Sequence, residues 1–235
     1  ELKGGDVHSE GERVSPKITA GLTPFNGVTF FATYAEGYRA PAITETLIQG
    51  THSPPATFPL LPNPNLRPEV AHNVEGGINL AFDGLLRPND AFRAKFVAFQ
   101  NKVDDYIDME DVADADPVQI CFPALCIDYY PQQYQNIANA TIEGIEFEAM
   151  YDARSWFIGI GAHRIRGEND DTGEPLETIP ADQITLTVGM RAFNEKLVAG
   201  ARTRFVAAQD RVSTASLATS GYTVVDLFGE YQLND

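Results

Sequence analysis

Residues 183–205, QITLTVGMRAFNEKLVAGARTRF, decide the fold, because two alternating stretches flank a short polar break. The first stretch has apolar side chains at every second position and small or polar side chains between them. The apolar set comprises Ile184, Leu186, Val188, Met190 and Ala192. Successive side chains of a β-strand point to opposite faces, so this alternation predicts a strand with one apolar and one polar face. Asn194 and Glu195 then predict a tight turn into a second strand.

The same alternation recurs along the chain and predicts nine strands. They lie near residues 16–24, 27–38, 69–83, 91–107, 134–152, 155–167, 182–193, 196–208 and 222–233. Most of them have ten residues or more, which exceeds the length of about five or six residues that is usual in soluble sheets. A tilted strand needs about ten residues to cross a bilayer.

The connections between the predicted strands alternate between short and long. The short ones are 25–26, 84–90, 153–154 and 194–195, and the long ones are 39–68, 108–133, 168–181 and 209–221. In an up-and-down sheet every second connection lies at the same end, so the long ones are expected at one rim. Outer-membrane barrels have short periplasmic turns and long external loops. The sequence therefore predicts an all-β protein, an antiparallel up-and-down transmembrane β-barrel rather than a soluble sandwich.

The number of strands predicts only a part of such a barrel. About nine strands cannot close a barrel with an even number of strands. The chain also reaches residue 235 without a final strand that ends in an aromatic residue. We therefore expect a section of a larger barrel.

Composition and motifs argue against several classes of function. The formal net charge of −16 is opposite to the basic surface that nucleic-acid binding needs, so no nucleic-acid partner is expected. The 235 residues contain no Gly-x-Ser-x-Gly elbow, no phosphate-binding loop and no His-Glu-x-x-His motif. An enzyme is therefore not expected.

Cys121 and Cys126 have four residues between them. A metal site would need two more soft ligands or nearby histidines, and none is close in the sequence. We therefore predict a short loop disulfide formed in an oxidising compartment, with two reduced thiols as the alternative.

Two connections are acidic, with DDYIDMEDVADAD at 104–116 and ENDDTGE at 168–174. Clustered carboxylates bind calcium when a turn brings them together, which makes these loops candidate calcium sites. Neither stretch has the spacing of an EF-hand, so a solvated acidic face is the alternative.

Two short segments flank the first long connection, YAEGYRAP at 34–41 and NPNLRPE at 63–69. Pro41 and Pro64 lack the amide proton that a strand ladder needs, and the asparagines of the second segment favour turns. The segments resemble the paired box of TonB-dependent outer-membrane receptors, where an Arg-Ala-Pro segment and an Asn-Pro-Asn-Leu segment flank an external loop. The residues that carry this resemblance are Arg39, Ala40, Pro41, Asn63, Pro64, Asn65 and Leu66.

The resemblance extends from about residue 27 to residue 233. The segment YQNIANATIEGIEFEAMY at 134–151 is similar to the strand that follows the box in these receptors. The resemblance implies that residues 1–235 are part of the β-barrel domain of such a receptor, in the bacterial outer membrane, with the plug domain and the final strands absent.

A single histidine, His52, lies between the two boxes. Haem and haemoglobin receptors of this family resemble this arrangement, which implies that His52 ligates haem iron. A neutral imidazole binds haem iron well, and Pro54 and Pro55 are expected to stiffen its loop. The apolar residues expected to cover a porphyrin face are Ile48, Phe58, Leu60 and Leu61. A solvated histidine without a role is the alternative.

The resemblance implies a receptor for TonB-dependent uptake of haem, taken either free or from a haem-carrying protein. Transport would draw energy from the TonB complex of the inner membrane through the plug, which in related receptors supplies a second axial histidine. A siderophore or other metal-chelate receptor is the alternative within the family. A passive porin-like barrel and a secreted β adhesion domain are the alternatives from other classes. Contact with outer-membrane lipid is expected of any barrel.

Overall fold

The computed structural model describes residues 12–52, 58–112, 115–122, 125–137, 139–212 and 218–233. The elements in chain order are β1 (Lys17–Phe25), β2 (Val28–Arg39), α1 (Ile43–Leu47), β3 (Gly50–Thr51), β4 (Pro59–Leu61), β5 (Glu69–Asp83), β6 (Ala91–Asp104), β7 (Ile107–Asp111), β8 (Val118–Phe122), β9 (Leu125–Tyr129), β10 (Gln132–Asn136), β11 (Asn139–Asp152), β12 (Trp156–Asn169), β13 (Gln183–Ala192), β14 (Leu197–Val206) and β15 (Tyr222–Tyr231). Among these residues, no helix has the length and apolar character needed to cross a membrane.

Nine strands form one sheet, in the order β1, β2, β5, β6, β11, β12, β13, β14 and β15. The pairs β1–β2, β12–β13, β13–β14 and β14–β15 are antiparallel. Neighbours in the sheet follow one another along the chain, apart from short strands inserted in the long connections. The predicted all-β class and the up-and-down order of nine strands are therefore confirmed.

Two of the predicted strands are too long. The stretch 91–107 divides into β6 and β7, because Asp105 between them has a φ of 56°, and this left-handed conformation cannot continue an extended ladder. The stretch 134–152 divides into β10 and β11. A pattern of apolar and polar residues does not report φ, so it runs through such breaks.

The apolar face of the sheet is exposed. On β13, the exposed fractions of Ile184, Val188 and Met190 are 49%, 43% and 51%. The register aligns Val188 with Ile158 on β12 and with Ala201 on β14, so apolar side chains form rows across the strands. A soluble sandwich would bury these rows under a second sheet. The wall of a membrane barrel presents them to lipid.

The opposite face is polar. The register aligns Thr187, Arg202 and Asp226 on three successive strands. These residues line a concave cavity of about 880 Å³. Its other titratable lining residues are Arg93, Lys95, Glu146, Glu148, His163 and Arg204. A polar interior and an apolar exterior are the two faces of a membrane barrel.

The chain divides into two compact units. Unit 1 comprises residues 1–16, 36–71 and 103–140, and unit 2 comprises residues 17–35, 72–102 and 141–235. Unit 1 has a small apolar core of its own. Among the described residues, its buried apolar side chains include Leu60, Leu66, Val103, Ile107 and Ala140. The described parts of the two longest connections contain strands β3, β4 and β7 to β10, which are too short to give a sequence period.

In unit 2, Asp90 orders the connection between β5 and β6. This carboxylate is 3% exposed and accepts hydrogen bonds from the amides of Leu85, Leu86 and Arg87 at 2.6, 2.9 and 2.8 Å. The Tyr151 hydroxyl donates a fourth bond at 2.7 Å. Burial by itself raises the pKa of Asp90, but the bonds from Tyr151 and the amides outweigh burial and lower the pKa below its ordinary value.

Candidate functional site

His52 follows β3 directly and lies in the β3–β4 hairpin. Its side chain is exposed, and its backbone amide donates to the carbonyl oxygen of Phe58 at 2.9 Å. The imidazole stacks on the Phe58 ring, with 4.9 Å between centroids and 11° between planes. The imidazole therefore lies nearly parallel to the Phe58 ring. Pro54 and Pro55 lie outside the described residues, so their predicted stiffening stays a prediction.

The four apolar residues expected to cover a ligand differ in exposure. Ile48, Phe58 and Leu61 are partly exposed. Leu60 is only 7% exposed and belongs to the core of unit 1, so the prediction that it covers the ligand is wrong. In β4 both Pro59 and Leu60 are buried and Leu61 is half-buried, so Leu60 packs inward together with its neighbour.

The hairpin that carries His52 is joined to the second long connection. Strand β4 pairs in parallel with β10, which pairs antiparallel with β7, so the sheet order is β3, β4, β10, β7. Gln133 Nε2 donates to the carbonyl oxygen of Pro62 at 2.8 Å. Asn63 Nδ2 donates to the carbonyl oxygen of Tyr134 at 2.8 Å. The His52 hairpin is therefore one edge of a small sheet built from both connections.

The second box shapes the end of the first connection. Asn63 Oδ1 accepts the amide of Asn65 at 3.1 Å, which closes the turn. Leu66 is 8% exposed and packs in the core. The amide of Arg67 donates to Asn136 Oδ1 at 2.7 Å, and Asn136 Nδ2 donates to the carbonyl oxygen of Arg67 at 2.9 Å. This reciprocal pair fixes the chain where it enters β5.

Arg39 of the first box binds two carboxylates. Its Nε and Nη2 donate to Glu69 at 2.5 and 2.6 Å, and its Nη1 donates to Glu45 at 2.8 Å. Glu69 is 8% exposed and also accepts the amide of Ile107 at 2.8 Å. Glu45 accepts the amide of Ala42 at 2.7 Å. We call this group the Arg39 cluster; it fixes both ends of the first connection and the start of β7.

Ala40 and Pro41 separate the end of β2 from helix α1.

Glu45, Glu69 and Asn136 were not singled out by sequence reasoning. Arg39 and Glu69 are 30 residues apart, and Arg67 and Asn136 are 69 residues apart. No local pattern signals pairs at such separations, although Glu69 is the last residue of the second box.

Cys121 and Cys126 are joined by a disulfide across the β8–β9 hairpin. In the part of the chain that the structure describes, no group of three or more His, Cys, Asp or Glu side chains is arranged to hold a metal ion. Calcium in the acidic loops stays a prediction.

An antiparallel sheet with a polar concave face, an exposed apolar face and long packed connections defines a section of the β-barrel of a membrane receptor. The chain belongs to the TonB-dependent receptor family, because the family described as "TonB dependent receptor-like, beta-barrel" matches residues 2–235. This family is a class of transporters and receptors rather than a class of enzymes.

Three known proteins are similar over most of this chain. "Heme/hemopexin utilization protein C" of Haemophilus influenzae is 34% identical, with coverage of 96% of this chain and 33% of that protein. "Hemin receptor" of Yersinia enterocolitica is 28% identical, with coverage of 97% and 34%. The solved structure of the Serratia marcescens hemophore receptor HasR, with its hemophore HasA and heme, gives a TM-score of 0.69 at 27% identity and covers 94% of this chain and 34% of HasR. The chain thus spans about a third of the length of these relatives.

Proposed function

We propose that the receptor containing this chain takes up haem across the bacterial outer membrane, and that His52 ligates the haem iron. One observation carries the proposal: His52 is exposed in a hairpin, and its ring plane is set by Phe58. The names of the relatives, which include a hemin receptor and a heme utilization protein, support haem as the ligand.

In this proposal, His52 supplies a neutral imidazole nitrogen to the iron. The stack with Phe58 restricts rotation of the imidazole, so less orientational freedom is lost when the iron binds. Ile48 and Leu61 are partly exposed and would cover part of a porphyrin face. The small sheet and the Arg39 cluster hold the hairpin in place before the ligand arrives.

The proposed partners are haem itself or a haem-carrying protein, outer-membrane lipid, and the TonB complex of the inner membrane. The TonB complex would act through a plug domain, which would also provide the second axial histidine. The similarity to HasR, whose solved complex contains the hemophore HasA, supports a protein carrier as one source of haem.

The proposal is tested by growth on haem as the sole iron source, in cells whose only haem receptor is the full-length protein. His52→Ala is expected to abolish or strongly slow this growth. His72→Ala is the matched control, because His72 Nδ1 lies 3.3 Å from the Tyr34 hydroxyl on the strands of unit 2; it is expected to grow as the wild type does.

Failure of the wild-type receptor to support growth on haem, although it reaches the outer membrane, would contradict the proposal. Growth on a ferric siderophore instead would favour the siderophore alternative. Equal growth of His52→Ala and the wild type would remove His52 from the site while leaving haem uptake intact.

A further inference from the structure

A groove of about 450 Å³ lies on the exposed apolar face of unit 2. Its floor is Ala162 on β12, and its sides are larger side chains of neighbouring strands. These are Phe96, Ile145, Phe147, Ile184 and Phe205. The register pairs Ala162 with Ile184, and Ile184 with Phe205. A small side chain between rows of large ones therefore creates the groove.

A positive charge lies at one end of the groove. Arg164 is two positions after Ala162, and thus on the same face of β12; its side chain is 65% exposed. The adjacent carboxylate, Asp182, is bound by both terminal nitrogens of Arg166, at 2.5 and 2.8 Å. The Nε atom of Arg164 lies 4.0 Å from Asp182. Two guanidinium groups thus share one carboxylate, and the three groups together carry one net positive charge.

We propose that this groove and Arg164 bind an anionic lipid, with an acyl chain along the apolar walls and a phosphate on the guanidinium. The apolar walls favour a fatty chain, and a guanidinium binds phosphate through parallel hydrogen bonds. A neutral lipid would fill the groove equally well but would add no anion to the two guanidinium groups that share the Asp182 carboxylate, so the charge selects the phosphorylated lipid.

The position of Arg164 agrees with this occupant. Strand β12 leads from Arg164 into the long connection 170–182, and long connections lie on the outer side of membrane barrels. A cation at that level meets the headgroups of the outer leaflet, which carry the phosphates of lipid A. The inference rests on the proposed outer-membrane location but not on haem.

The test uses the full-length receptor in a maltoside detergent and native mass spectrometry. The probes are lipid A and its enzymatically dephosphorylated form, which has the same acyl chains. The wild type is expected to bind lipid A more tightly than the dephosphorylated form. Arg164→Gln is expected to lower lipid A affinity about fivefold, because one cation near the membrane surface contributes about 1 kcal/mol. Ala162→Phe, which fills the groove, is expected to weaken both lipids.

Arg154→Gln is the matched control, because Arg154 is an equally exposed arginine (67%) in the tight turn that precedes β12; it is expected to bind lipid A as the wild type does. The inference fails if the wild type binds both lipids equally, or if Arg154→Gln and Arg164→Gln lose the same affinity. It also fails if the receptor dimerises in a way that Ala162→Phe abolishes, because the groove would then bind a second copy. A haem titration of the same samples reports separately on the proposed function.

Discussion

Replacement of Arg39 by alanine is expected to weaken haem binding. Arg39 is not part of the His52 hairpin, because it lies at the end of β2, where the first long connection begins. The substitution leaves the Glu69 carboxylate without its cation. Loss of one partner of a buried ion pair costs about 3–5 kcal/mol. The Glu69 side chain is 10% exposed but that of Arg39 is 44% exposed, and solvent screening reduces the expected cost to about 2 kcal/mol.

If this whole cost falls on the arrangement that presents His52, haem affinity falls by about 30-fold, since about 1.4 kcal/mol corresponds to a factor of ten. The assay is a hemin titration of the full-length receptor, followed by the Soret band. Arg39→Lys keeps the charge but loses the two-pronged bond to Glu69 and is expected to fall between the wild type and Arg39→Ala.

Two further variants make this prediction sharp. In the double variant Arg39→Ala with Glu69→Gln, a neutral amide replaces the buried Glu69 carboxylate and only Glu45 still lacks its arginine, so part of the lost affinity should return. Arg13→Ala removes the Arg13–Glu36 pair, whose side chains are 33% and 18% exposed, and is expected to leave haem affinity unchanged. The reasoning is refuted if Arg39→Ala binds haem as tightly as the wild type, or if Arg13→Ala loses as much affinity.

Three other outcomes are expected. Phe58→Leu should lower haem affinity severalfold and change the electron paramagnetic resonance spectrum of the ferric complex, because the His52 ring loses its stacking partner. Asp90→Ala should lower the guanidinium midpoint of unfolding. The folded pKa of Asp90 lies below its ordinary value of 3.8. Its contribution to stability should therefore be complete at higher pH and be lost as the pH falls through the folded pKa. The stability of Asp90→Ala should lack this pH dependence. Replacement of Cys121 and Cys126 by serine should speed hydrogen exchange in the β8–β9 hairpin while haem affinity stays unchanged.

The sheet could be predicted from the sequence because its determinants are local. Strand β13 is an example: its alternating residues placed Ile184, Val188 and Met190 on one face, and these side chains are exposed in the structure. The alternation of short and long connections also follows from the sequence, since tight turns such as Asn194-Glu195 interrupt the pattern only briefly.

The packing of the long connections could not be predicted, because it depends on contacts between distant residues. Leu60 and Leu61 are equally apolar, and only the pairing of β4 with β3 and β10 decides which of them is buried. Arg39 was recognised through a resemblance, but its partner Glu69 carries no local signal of an ion pair. Asp105 ends β6 through a left-handed backbone conformation, which aspartate adopts only in certain contexts.

The most direct test of the central claim is the spectrum of ferric haem bound to the full-length receptor. With wild-type protein, electron paramagnetic resonance should report a nitrogen ligand from His52. The variant His52→Gly should lose that signature, and free imidazole added to the variant should restore it. A spectrum of His52→Gly identical to that of the wild type before imidazole is added would contradict the claim that His52 holds the iron.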